Sequence, residues 1–505
     1  MNESEHAARS AEPPAPGPGK RVLPILVCLI TGGFFAFLNE TLLNIALHSL
    51  MDEFGIRVTT AQWMVTGFLL VTAIVTPVSA VLLQRFSTRR LFLGTMAVFT
   101  LGTALCAAAP AFPALVAGRF IQAVGTGLMT PVIFHAILLI VPPERRGRVM
   151  GLIGFVFMFA PAIGPTLSGL IVQFLGWRFL FLAVLPFALV SLAFAWKYLV
   201  DLSEVTKPRI DAASVLLSSA GFGGLVYGFS EAGRPEIGFL APGAYIPILA
   251  GAIALVLFAF RQTRLDQPLL DLRVFRYPMF SHAVLLFLII MMGMFGSEIV
   301  LPLYMQETLA LPPSAAGMVL LPGSLLSALL SPLMGLLFDR YGPRKLLVPA
   351  AILLAFTTFG LTRLGTDTPV WFVSLKYVLL MASITAIWTP AETNGLNELP
   401  RKLYPHGTAI VSTLMPAAGA IGVSIFVSIL SARRDALLGR AADPADPLTV
   451  AGATAAGVQF VYWISFASAL AAVALAFLSY RARPPESEGE PPDPGGGPRA
   501  DKRDR

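Results

Sequence analysis

What most limits the fold of this chain is a succession of apolar runs, each about twenty residues long, parted by short turns rich in arginine and lysine. At about 1.5 Å per residue such a run matches the hydrocarbon thickness of a bilayer, so each predicts one membrane-crossing helix. There are about fourteen, the first near Val22–Leu47 and the last near Gly457–Leu478. Composition closes off a soluble globule: 56% of the 505 residues are hydrophobic and only 13% charged, too few to coat so large a core. The expected class is an all-α integral membrane protein.

The net charge of +7 does not mark a nucleic-acid partner, because the basic residues sit in small clusters between the runs rather than in one patch. Turns on the side of the N-terminus carry Lys20, Arg21, Arg85, Arg89, Arg90, Arg145, Arg146, Arg148, Arg344, Lys345, Arg401 and Lys402, among others. The opposite turns carry Arg57, Arg178, Arg234, Arg363, Arg433, Arg434 and Arg440. An excess of roughly three to one puts both termini in the cytoplasm and supports an even number of crossings. Residues 1–20, with no signal peptide, and 483–505 read as disordered cytoplasmic tails. Short basic turns recur at Arg85–Arg90 and Asp339–Lys345, as expected of two related six-helix halves, 21–200 and 276–482, with a site between them. Residues 201–275 then hold two inserted helices and their linkers. Cys28 and Cys106 lie in apolar runs and suggest neither a disulfide nor a metal site. With no GxxxxGK[ST] loop, no HExxH and no long loop, the chain does not read as an enzyme and calls for no cofactor or metal; an ion gradient is the expected energy source.

The run from Gly154 to Arg178 departs from plain hydrophobicity, with Pro161, Gly164, Pro165, Ser168 and Gly169 crowding its middle. Small residues let helix backbones approach closely, and prolines loosen a helix where neighbours can satisfy its freed carbonyls. The order Ala160-x-x-x-Gly164-Pro165-x-x-Ser168-Gly169, then Trp177-Arg178, resembles the antiporter motif in the fifth helix of major facilitator superfamily exporters. Ala160 and Ser168 replace its usual glycines. Other blocks are similar to the same family: Gln62-Trp63 with Pro77, Arg119-x-x-Gln122-x-x-Gly125, Leu301 to Gln306, Ala316-Gly317, Leu321-Pro322 and Asp339-Arg340 before Gly342. Asn394 to Pro400, Tyr404 to Ala409 and Gly419 to Gly422 look most like the lincomycin-resistance sub-branch. The resemblance implies the fourteen-helix drug:proton antiporter branch, with two helices inserted between two six-helix halves. Departures are local: Ala80, Gln84, Ser87 and Thr88 replace two glycines, the acid and one base of the first cytoplasmic motif, leaving Arg85, Arg89 and Arg90, while Asp339 keeps the acid in the second copy. Asn39 stands where an aspartate is usual, and Glu40 follows it, turned by about 100° on a helix.

An ionisable group inside the membrane is expensive, and each is a functional candidate. Glu40, flanked by Asn39, Thr41 and Asn44, lies at a depth that Arg119 can share, so geometry allows the two to pair. Burial opposes the charged form of Glu40 and the arginine favours it, a balance suited to binding and releasing a proton. A static salt bridge is the alternative. Glu298 is the second acid. Glu392 is expected at a solvated helix end, Lys376 to snorkel towards the outer surface, His135 to be a satisfied interior residue and His406 to sit in a loop. Phe37, Asn39, Asn44, Phe134, Trp388 and Asn394 are candidates for lining a substrate cavity. The reading is a proton-coupled exporter of amphiphilic drugs, its partners a small-molecule substrate, protons and lipid, with a periplasmic adaptor where the source has an outer membrane. Export of one endogenous lipid, siderophore or peptide, and a non-transporting scaffold or receptor, are the rivals.

Overall fold

The computed structural model describes residues 22–56, 58–61, 63–201, 211–232, 239–441, 443 and 446–482. At some helix positions, Asn44, Pro161, Pro165 and Gly169 among them, it describes the backbone alone. The described chain is helical: α1 (Val22–Phe54), α2 (Val58–Ala61), α3 (Trp63–Val75), α4 (Ser79–Arg85), α5 (Thr88–Ala107), α6 (Phe112–Ile140), α7 (Arg146–Leu175), α8 (Arg178–Tyr198), α9 (Ala212–Ala232), α10 (Pro242–Gln262), α11 (Pro278–Glu307), α12 (Pro313–Tyr341), α13 (Arg344–Leu361), α14 (Val370–Asn397), α15 (Tyr404–Leu438) and α16 (Pro447–Leu478).

Among the described residues twelve segments are long and apolar enough to cross a membrane, α3 and α4 together forming one. That is two fewer than expected. The expected first and fifth crossings fall on α1 and α7, helices of 33 and 30 residues that are described only in part. α1 also runs past the expected Leu47 to Phe54, because Glu53 accepts hydrogen bonds from the Trp177 indole and Arg178, both at 2.6 Å. The break between α3 and α4 is Pro77, which cannot donate to the helix ladder and tightens the chain into a 3-10 turn at Thr76–Val78. The Thr76 hydroxyl lies 2.7 Å from the Thr72 carbonyl and 3.1 Å from that of Gly127 on α6, so its one proton serves both.

Two groups of helices result. In the first, α1, α3 and α5–α8 pack on one another; in the second, α11–α16 do. The α9–α10 hairpin lies beside them, with α9 against both α3 and α15. Its helices touch backbone to backbone, since a Cβ on Gly251 would stand 2.8 Å from the Gly221 carbonyl.

The groups meet along two seams. In one, α7 lies on α12 with glycines on both sides: a Cβ on Gly151 would be 2.6 Å from the Ser331 carbonyl, and Gly335 has no room for one against Gly147. In the other, α15 meets α3, α4 and α6 through side chains, with Ala417 packed on Ala73 and on Val226 of α9. α12 stops at Gly342, whose φ of +79° suits glycine and turns the chain towards α13.

Candidate substrate and proton site

Arg119 is buried in the first group, 1% exposed, and is held by neutral acceptors. Its Nη1 donates to Asn39 Oδ1 at 2.7 Å and to Gln122 Oε1 at 2.6 Å. Its other nitrogens reach the backbone carbonyls of Glu40 and Met64, both at 3.4 Å, and its plane lies 4.0 Å from the centre of the Phe68 ring. Gln122 passes the network to Thr103 on α5 through a 2.8 Å bond. The α5–α6 contact permits this because Gly102 and Gly125 bring the two backbones together; a Cβ on Gly125 would stand 2.7 Å from the Phe99 nitrogen.

The Glu40–Arg119 ion pair that the sequence allows does not form. Asn39 faces the arginine, and the next residue is turned by about 100°, so only the backbone of Glu40 reaches it. Among the described residues the Glu40 carboxylate has no hydrogen bond or ion pair, though it stays within electrostatic reach of Arg119. Glu40 is half-buried and Glu298, on α11, is exposed. Each shares its helix face with buried residues, Ala36 and Leu43 beside Glu40 and Met291, Met294 and Met305 beside Glu298, so both turn towards the bundle. Tyr377 of α14 lies within electrostatic reach of Glu298.

Towards the α6–α7 turn, aromatic rings close the space between the groups. Phe37 lies on Phe157 with ring centres 3.9 Å apart, Phe134 stacks on Phe157 at 6.0 Å, and Phe157 meets Trp388 of the second group at 5.8 Å. Phe134 and Trp388 are buried. They form a plug in this conformation.

Beyond the plug is a latch. Asp339 accepts from the backbone nitrogens of Gly147 and Arg148 at the start of α7, both at 2.9 Å. Arg146, itself buried, donates to Asn397 Oδ1 at 2.9 Å and to the Tyr404 hydroxyl at 3.0 Å. Gln84 meets His406 at 3.1 Å. Among the described residues every hydrogen bond between the two groups lies at this end. Arg89 donates to the Trp196 carbonyl at 2.5 Å. Gly164 is buried, and the neighbouring Ser168 hydroxyl donates to the Leu42 carbonyl of α1.

Several residues sit elsewhere than expected. Glu392 is not a solvated helix end but is 8% exposed, its Oε2 accepting the Trp388 indole N–H at 3.0 Å. His406 is not in a loop: it is buried near the start of α15, and its Nδ1 accepts from the Asp271 nitrogen at 3.1 Å. Lys376 is 7% exposed rather than snorkelling, its ammonium 4.6 Å from the Phe356 ring centre and 5.2 Å from that of Phe372. His135 is buried with Nδ1 unpartnered among the described residues. Asn394 spends its amide on the segment after α16, donating to the Tyr480 carbonyl at 2.9 Å and accepting from the Ala482 nitrogen at 3.0 Å. The side chains of Asn44, Pro161, Pro165 and Gly169 lie outside the described residues.

Long apolar helices gathered in two groups, with buried polar residues between and within them, define a multi-pass membrane transporter. The family model of the Major Facilitator Superfamily matches residues 29–423, and the chain belongs to that family. It is 43% identical over 463 residues to the lincomycin resistance protein LmrB of Bacillus subtilis, covering 92% of this chain and 97% of the relative. To the multidrug resistance protein B homolog of Mycobacterium tuberculosis strain H37Rv it is 29% identical, covering 80% of this chain and 75% of the relative. The structure of the human organic anion transporter MFSD10 superposes with a TM-score of 0.59 at 15% identity, covering 88% of this chain and 99% of that one. The proton:xylose symporter XylE gives 0.58 at 16% identity, with 91% and 95% covered. Both show the shared fold. The chain is a transporter and not an enzyme.

Proposed function

We propose that this transporter exports amphiphilic drugs across the cytoplasmic membrane in exchange for protons. The observation that carries the coupling is the unpaired Glu40 carboxylate beside a buried arginine whose own partners are all neutral. A proton arriving from outside neutralises Glu40 and removes its attraction to Arg119 without breaking the Asn39 and Gln122 bonds, so the helix framework survives the change. Glu298 offers a second acid on the facing wall. The lincomycin and multidrug resistance relatives support drugs as the substrate class.

On this reading α1 and α7 also cross the membrane, making fourteen helices in two six-helix halves with α9 and α10 inserted. The basic turns put the latch end and both termini in the cytoplasm. The conformation is then closed to the cytoplasm, with Glu40 and Glu298 on the outward-facing side of the aromatic plug. Alternating access consists of parting the latch while the opposite ends close.

Purified protein in liposomes, given an imposed pH gradient and a panel that includes lincomycin, tests this. Wild type should move several unrelated amphiphiles and stop when the gradient is collapsed. Glu40→Gln should bind substrate but lose the coupling. Transport of a single compound would favour an exporter of one metabolite, and equal substrate-induced proton release from wild type and Glu40→Gln would shift coupling to Glu298.

A further inference from the structure

We propose that His406 is a proton-sensitive clasp on the seam where α15 meets α4 and α6: as the neutral imidazole it keeps that seam closed, and on taking a second proton it parts it. His406 is buried near the start of α15. Its Nδ1 accepts the backbone N–H of Asp271, and a backbone nitrogen can only donate, so the ring proton sits on Nε2. There the Gln84 amide of α4, oxygen towards the ring, takes it at 3.1 Å. Asp271 belongs to the linker between α10 and α11, whose Leu269 and Leu270 nitrogens donate to Gln262 Oε1 at 2.7 and 3.3 Å. Gln262 in turn donates to the Ser214 hydroxyl of α9 at 2.7 Å. One imidazole therefore joins the first group, the second group and the hairpin.

The closed seam has no place for a second proton. On Nδ1 it would face the Asp271 N–H, donor against donor, and would leave a cation out of reach of water. α4 brings only the exposed Arg85, and Arg401 and Lys402 stand just before α15, all of them positive. His135 of α6 is buried within electrostatic reach of His406, so its protonation would set like charge on both sides of the seam. Around the other faces of α15, Asp211 of α9 is paired with Arg261, and His282 of α11 meets Ser479. Glu392 and Glu398 of α14 are held by the Trp388 indole and by the Met279 and Phe280 nitrogens. The Asp271 carboxylate attracts a proton to His406, but it already accepts from the Arg273 nitrogen at 2.9 Å. Once the seam parts, water reaches the ring, which then takes a second proton near the ordinary histidine value of about 6.5. Falling pH therefore favours the parted form, by about tenfold between about pH 7.5 and 5.5. On the exporter reading, on which this use of the clasp rests, an acidified cytoplasm holds the chain open to that side and slows further proton entry.

Distances between spin labels on Phe86→Cys and Lys402→Cys, in the purified full-length protein without Cys28 and Cys106, test the clasp. Both positions are exposed, one after α4 and one before α15. As pH falls from about 7.5 to 5.5, the ratio of long to short distances should rise about tenfold. His406→Gln keeps an acceptor for the Asp271 N–H but cannot gain charge, and its ratio should change by less than about threefold. Gln84→Glu supplies a carboxylate for the second proton and should flatten the response in the same way, a check that stands even if His406→Gln fails to fold. An unchanged ratio in wild type, or a tenfold rise in either variant, would overturn the proposal. The measurement needs neither substrate nor gradient, so lincomycin transport by wild type tests the exporter reading separately.

Discussion

The two seams between the helix groups are built on different principles. At the α7–α12 seam, glycines on both helices bring backbones into contact, and an ionised side chain takes two backbone N–H groups at the start of α7, where the helix has no internal acceptors for them. At the α15 seam, side chains fill the gap, Gln84 occupies the place where the family carries an acid, and its contact is a neutral one to His406. The α9–α10 hairpin covers that second seam. The contrast teaches that closure of the latch end is concentrated on one side: a rigid, charge-assisted joint faces a softer one that can slide.

Bulk should expose the difference most sharply. Gly335→Leu places a side chain where the Gly147 carbonyl already lies, and transport should fall by at least about tenfold while the protein still inserts. Gly223→Ala, on α9 where the hairpin rests on α3 beside the softer seam, has as its nearest neighbours the side chains of Ile74 and Leu70 at 3.1–3.4 Å and should stay within about twofold of wild type. Comparable losses from both in liposome transport would erase the distinction.

The charge on the rigid joint comes next. A hydrogen bond to a charged group contributes about 1.5–3 kcal/mol, so Asp339→Asn should shift the population towards an open latch by about tenfold. A single cysteine at Ala391, in a background without Cys28 and Cys106, should then label faster from the latch end. Gln84→Ala should change that rate by less than about threefold. If Gln84→Ala labels as fast as Asp339→Asn, the two joints carry equal weight.

The smallest effect concerns the hairpin over the softer seam. Arg261 bonds Asp211 at 2.7 and 2.9 Å, and with Ser214 holds the carboxyl below the usual carboxylate range. A depressed carboxylate stabilises the fold above its unfolded pKa of about 4, and the contribution is lost as pH falls through the lower folded value. Because the pair is partly exposed, Asp211→Asn should cost about 1 kcal/mol or less at pH 7. The gap in unfolding temperature from wild type should persist down to about pH 4 and narrow below it. A gap independent of pH across that range would mean that packing at the hairpin base, not charge, sets the effect.

Membrane helices were legible in the sequence because a bilayer imposes length and apolarity on each one separately. What a side chain faces is a relation between helices, and there the reading ran out. Asn39 and Glu40 differ by one residue, and that rotation decided which of them meets Arg119. Glu392 lies near a helix end in the sequence, but Phe280 of α11 and Val411 of α15 cover it. Asn394 finds its partners in Tyr480 and Ala482, and His406 finds one in the linker after α10. The apolar run predicts an end to the first helix near Leu47, whereas Trp177 and Arg178 at the start of α8 bond Glu53 and keep α1 helical to Phe54. Long polar bonds of this kind leave no periodic trace.

The cluster of tilted rings of Phe37, Phe157 and Trp388 also has an electrical consequence. A transmembrane voltage falls mainly across the layer that water does not enter, so the field is steepest at these rings. Any net charge carried past them is worth about 2.3 kcal/mol per 100 mV, whichever molecule bears it. Exchange of one proton for a neutral compound therefore draws on the voltage as well as on the pH difference, whereas exchange for a monovalent cation draws on the pH difference alone.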